Sequence, residues 1–136
     1  MQSIVKPLND TLVAEGKTYQ DLIFENKFSP LATIPFHHDV EGLARYFAEG
    51  FPYHLAIHHL HPMEQPPDAY TFSHEHTYPE LNIIIGKDLC YDITLGDEHY
   101  ELTGNYSIWI PAGVAHSANV RSGSGYFVAM RFDRQD

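Results

Sequence analysis

The chain has 136 residues, the length of one domain with its own core. An apolar fraction of 43% against 19% charged residues excludes a disordered chain. Eight Lys and Arg against eighteen Asp and Glu give a formal charge of −10, which argues against nucleic acid and anionic membrane surfaces as partners, since both need clustered positive charge.

Met1 to Asp10 carries one Lys and no long apolar run, a pattern that predicts no signal peptide. No stretch reaches the ~18–20 apolar residues of a membrane span. A single cysteine, Cys90, cannot form an internal disulfide, and its apolar neighbours mark it as a packing residue. A cytoplasmic location is therefore expected.

His37 and His38 read as surface residues ahead of a helix over Asp39 to Glu49. Asp39 caps that helix, Leu43, Tyr46 and Phe47 share one face, and Gly50 and Pro52 stop it. Its single apolar stripe predicts a helix packed outside a sheet. Residues 1–52 are expected to be an arm plus this helix, packed on a β unit of residues 53–136 within one structural domain.

From Tyr53 onward the pattern is short strands. Tyr53, Leu55 and Ile57 alternate with His54, Ala56 and His58. Pro62 to Asp68 holds three prolines and reads as a loop over the mouth of a cavity. Leu81 to Ile85 suits a strand buried on both faces, and Gly86-Lys87-Asp88 a turn. Leu89 to Leu95, His99 to Leu102, Tyr106 to Ile110 and Tyr126 to Phe132 complete the series, the last after a Ser/Gly-rich turn. Many short strands between Gly and Pro turns predict an all-β sandwich or barrel.

The sharpest chemical signal is His74-Glu75-His76-Thr77-Tyr78-Pro79-Glu80. On a strand, His74 and His76 present two imidazoles to one face. Glu80, beyond the bend at Pro79, can bring a carboxylate to the same point. Two imidazoles and a carboxylate suit one divalent transition metal: Fe, Mn, Ni, Co or Zn. His116 follows the Pro111-Ala112-Gly113 turn and is the candidate fourth ligand, from across the barrel. Such a set leaves open positions on an octahedral ion, as a catalytic site requires.

Other residues offer themselves to a substrate. Asn82 shares strand parity with Glu80, so it is a candidate substrate contact or an orienter of a ligand. Arg131 is a candidate partner for an acidic substrate or a solvated outer charge. Tyr78 can direct its hydroxyl at a substrate oxygen or fill the interior. On the 53–61 strand, His59 and His61 share one face and His54 and His58 the other. One pair should line the cavity, and His59 is the candidate general base. Trp109 reads as core. No Gly-rich phosphate loop, Gly-x-Ser-x-Gly elbow or CxxC pair is present, so nucleotide, serine-hydrolase and zinc-finger readings have no support.

These motifs resemble those of the cupin family. The first cupin motif appears as His74-x-His76-x3-Glu80-x5-Gly86, and the second as Gly104-x6-Pro111-x-Gly113-x2-His116-x2-Asn119. Three spacers differ by one residue from the family pattern, and Asp68 stands where the first motif's leading Gly would be. All four ligand positions match. The resemblance covers Tyr53 to Phe132 and implies a double-stranded β-helix, a jelly-roll barrel. It also implies a metal held by His74, His76, Glu80 and His116, a small polar substrate and a homodimer, with the first fifty residues a candidate pairing arm. Fe(II)-dependent oxygenase chemistry is favoured. Lewis-acid isomerase, epimerase or lyase chemistry and a non-catalytic small-ligand sensor are the alternatives.

Overall fold

The computed structural model describes residue 8 and residues 19–134. Among them are eight strands: β1 (Asn26–Phe28), β2 (Leu43–Ala48), β3 (Tyr53–Met63), β4 (Glu80–Ile85), β5 (Cys90–Leu95), β6 (Glu98–Thr103), β7 (Tyr106–Ile110) and β8 (His116–Arg134). Two short 3-10 turns, Gln20–Leu22 and Leu31–Thr33, are the only helical pieces in the described residues. The all-β class is as expected; the helix over Asp39 to Glu49 is not found.

That segment is strand β2 instead. Gly42 and Gly50 both adopt positive φ, 88° and 85°, and turn the chain at either end. The seven residues left between them are too few to sustain a helix, since nucleation outweighs two or three hydrogen bonds. They gain more as a ladder: β2 pairs antiparallel with β3 from Leu43↔Leu60 to Phe47↔Ala56. Gly50 and Pro52 belong to the β2–β3 connection and do not end a helix.

All strand pairings are antiparallel, and β8 organises them. Its first part, His116 to Ser122, pairs with β5, which pairs with β6. Its second part, Gly123 to Arg134, lies between β3 and β4, which extend the sheet to β1–β2 and to β7. The Ser/Gly stretch read as a turn is thus a corner within one 19-residue strand. Gly123 and Gly125 stand there at φ +88° and +143°. A Cβ at either would run into backbone, the Asp88 carbonyl at Gly123 and the Ile85 carbonyl at Gly125. The corner closes on the β4–β5 connection only because both lack a side chain.

The core fills the space between the sheets with Leu60, Tyr70, Ile84, Leu89, Tyr91 and Val120, all fully buried. Cys90 is buried and unpaired, as expected. Trp109, expected in the core, is 57% exposed on the outer face of β7. Among the described residues no helix is long and apolar enough to cross a membrane.

The register places the functional residues. Across β3, β8 and β4, Arg131 lies between His54 and Glu80, Ala129 between Ala56 and Asn82, and Phe127 between His58 and Ile84. Arg45 of β2 extends the last row opposite His58. Side chains opposite one another share a face, so all of these point inward. The alanine pair in the middle row leaves open space above it.

Candidate metal centre and its cavity

That space is a cavity of about 40 Å³ lined by His54, His58, His74, His116, Arg45 and Arg131, with Glu80, Asn82 and His37 among its other residues. His74 and His116 meet as a two-way backbone bridge, His74 N–H to His116 O at 3.1 Å and His116 N–H to His74 O at 2.8 Å. This pairing brings the two distant motifs together. Gly113 N–H donates to His76 O at 2.8 Å and fastens the second motif's turn to the first.

The ligand nitrogens of His74, His76 and His116 all lie within 4.8 Å of one another. Glu80 stands beside this triad: its Oε1 is 3.4 Å from His76 Nε2 and 3.4 Å from His116 Nε2. Two rings have fixed orientations. His74 Nδ1 lies 2.7 Å from the Phe72 carbonyl and His116 Nδ1 2.9 Å from that of Val114. In the neutral ring, Nδ1 therefore carries the proton and Nε2 keeps its lone pair.

The consequence is a cluster of acceptors. His76 Nε2, His116 Nε2 and Glu80 Oε1 are buried without a hydrogen-bond partner among the described residues. Buried polar atoms are normally paired. A divalent cation satisfies all three at once, and nitrogen donors with a carboxylate suit the Fe-to-Zn series. The residues present fit such an ion.

Electrostatics favour ligation by two of the rings and the acid. Burial, then the charge of Arg131, lowers His76 to about 4. Burial also lowers His74. Burial alone would raise Glu80, but His116, Asn82 and Arg131 outweigh it and hold the carboxyl at about 2. His116 is the exception: burial lowers it, yet the Glu80 carboxylate and the Val114 carbonyl raise it above the usual imidazole value. A metal bound there would have to displace that proton.

The substrate residues expected from sequence divide. Asn82 lines the cavity, but its Nδ2 donates to Glu80 Oε2 at 2.8 Å, so its amide orients the carboxylate. Arg131 is not a solvated outer charge. It lines the cavity with Nε 3.3 Å from Glu80 Oε1. Tyr78 stacks flat on the His76 ring at 4.8 Å and is not among the residues that line the cavity. His59 lies on the outward face of β3, stacked on Tyr126 at 4.8 Å. The inward pair is His54 and His58.

Three residues escaped the sequence reading. His37, taken as surface, is half-buried in the cavity wall with its ring edge-on to His74 at 5.7 Å. Phe36 stacks on His74 at 5.4 Å and holds φ +67°, strained for a bulky residue. Arg45 is buried at 3% exposure in the cavity wall. Strand parity with Leu43 and Phe47 would have pointed Arg45 inward had this segment been read as a strand.

No family model matches the chain, and no curated protein matches it in sequence. Solved structures match it in fold. An RmlC-like cupin from Shewanella frigidimarina superposes with a TM-score of 0.52 at 16% identity, over 83% of this chain and 96% of that one. KdgF from Halomonas sp. gives 0.51 at 13% identity, over 79% and 95%. HppE in its Fe(II) form gives 0.56 at 14% identity, over 79% of this chain and 57% of that one. This chain has the cupin fold, the jelly roll that its two motifs implied.

Proposed function

We propose that this protein is a metal-dependent cupin enzyme acting on a small polar molecule. His74, His76 and His116, with Glu80, would hold one divalent metal. The observation that carries this reading is the convergence of His76 Nε2, His116 Nε2 and Glu80 Oε1, three buried atoms that make no hydrogen bond among the described residues. When bound, a metal of this class polarises a substrate oxygen or activates dioxygen.

The chain's own residues supply the rest. Arg131 and Asn82 fix the two oxygens of Glu80, one each. Ala56, Ala129 and Phe127 give the cavity an apolar floor that limits water. His54 faces the cavity, and burial followed by the charge of Arg131 lowers it to about 4. A neutral imidazole there offers a substrate one donor and one acceptor but is a weak base. Oxygenase chemistry is favoured, because the structural neighbours include an Fe(II) protein. Lewis-acid isomerisation or elimination uses the same open site.

The test is elemental analysis of untagged protein followed by oxygen-consumption assays with candidate substrates. Stoichiometric metal with substrate-dependent oxygen uptake supports the oxygenase. Metal with turnover and no uptake moves the reading to a Lewis-acid enzyme. Metal-free protein that still turns over would end it.

A homodimer completes the reading. The outward row across β7, β4, β8 and β3 is Trp109, Leu81, Met130 and Leu55, and the next holds Ile83, Val128 and Ile57. A continuous apolar sheet face of this kind is what a second copy of the chain covers.

A further inference from the structure

We infer that the inner end of the cavity is an oxyanion subsite, seated on Arg45, so that the substrate is a compact molecule bearing a carboxylate or a phosphoryl group. The inference rests on the reading of the cavity as a substrate site.

Arg45 is the starting point. Its guanidinium is buried in the cavity wall, and among the described residues its partners are the Ser29 carbonyl, 3.2 Å from Nη1, and the Phe47 ring, 5.2 Å away. Neither is an anion. Among the described residues no carboxylate lies within ion-pair distance of it. Buried cations without a counter-charge are costly, and proteins normally pair them. Desolvation, then the like charge of Arg131, lowers Arg45 to about 10. Among the described residues the one carboxylate in the cavity wall, Glu80, is engaged by Arg131 and Asn82 and faces the three imidazoles.

The charge count gives the same answer. The wall contributes Arg45 and Arg131 against Glu80, an excess of positive charge in a chain of −10. A divalent metal would increase that excess. The anion that balances it must come from outside the wall.

His58 supplies the second contact. It stands opposite Arg45 in the β2–β3 ladder, and its buried Nδ1 has no hydrogen-bond partner among the described residues. With Arg45's planar fork it forms a mixed cationic and neutral pair of donors, the chemistry that recognises a planar or tetrahedral oxyanion. The cavity's 40 Å³ has room for roughly three water-sized groups, at ~10–15 Å³ each, which restricts the ligand to a small one.

The experiment is an NMR titration of the full chain with acetate, succinate and inorganic phosphate, against chloride at equal ionic strength. It follows the side-chain Nε–Hε resonance of Arg45. The expected result is a saturable shift with at least one oxyanion and none with chloride. Acetate or succinate alone would assign a carboxylate, and phosphate alone a phosphoryl group. Arg45→Met should weaken binding at least ~10-fold, and Arg45→Lys less, because Lys keeps the charge and loses the fork. His76→Ala should bind the oxyanion still, which separates this subsite from the metal reading. No saturable shift in wild type, or equal binding by folded Arg45→Met, overturns the inference.

Discussion

Arg131 Nε lies 3.3 Å from Glu80 Oε1, the same oxygen that faces His76 and His116. The two residues are directly opposite in the β4–β8 ladder, so the ion pair is set by strand register. Asn82, one inward position along β4, holds the other oxygen. The carboxylate thus faces the imidazoles from a fixed direction, set by its protein partners.

Removing one imidazole tests the ligand set. His76→Ala should lower metal content at least ~10-fold while circular dichroism stays that of an all-β protein, because the core lies elsewhere. His59→Ala should leave metal content unchanged, since His59 faces outward. Elemental analysis of both variants decides: metal lost from His59→Ala and kept in His76→Ala would place the site on the wrong residues.

Asn82→Leu removes the amide that orients Glu80 and leaves a buried carboxylate oxygen without its donor. Metal affinity should fall ~10–100-fold, measured by competition with a chelator. Unchanged affinity would mean that Arg131 alone suffices to hold Glu80.

Acid should destabilise the fold through His58. Burial, then Arg45, His37 and His54, lowers it to about 3, whereas an exposed or unfolded histidine titrates near 6.5. As pH falls below 6.5 the unfolded chain takes up a proton that the folded chain refuses. Stability is therefore full above that value and declines towards pH 3, by up to ~4 kcal/mol from this group. His58→Phe should flatten the slope of the urea midpoint between pH 7 and 4. An unchanged slope would assign the acid sensitivity to other groups.

Gly125→Ala places a methyl group against the Ile85 backbone carbonyl, which cannot yield as a flexible side chain can. We expect a loss of at least ~1–3 kcal/mol and a lower melting temperature. Gly96→Ala is the control, for nothing lies near its Cβ position, although its φ of +59° carries its own modest strain.

Ile83→Lys puts a charge in the middle of the outward apolar face. If that face joins two copies, light scattering should give the mass of one chain for the variant and of two for the wild type. A wild type that is already monomeric ends the dimer reading.

The histidine cluster could be read from sequence because its chemistry is local. His74 and His76 share a face by strand parity, and the Pro111–Gly113 turn announces His116. The inward face of β4 followed from the same parity at Glu80 and Asn82. Other features depend on pairing, which one segment cannot reveal. The spacing of Leu43, Tyr46 and Phe47 serves a helix or a strand, and only the ladder with β3 selects the strand. Which pair of β3 histidines looks inward is fixed by Arg131 and Phe127 across the sheet. Arg45 was hidden for both reasons, and the Ser122–Gly125 corner looked like a turn because glycines that permit close approach resemble glycines that reverse a chain.

The continuity of β8 limits how this protein can be cut and rejoined. One uninterrupted backbone carries His116 near its start and Arg131 near its end, and it crosses from one sheet to the other at Gly123. New termini opened at Gly96, in the β5–β6 hairpin, would leave every wall of the cavity attached to its neighbours. New termini at Gly123 would cut β8 between His116 and Arg131 and free the guanidinium that faces Glu80 from the segment that carries His116.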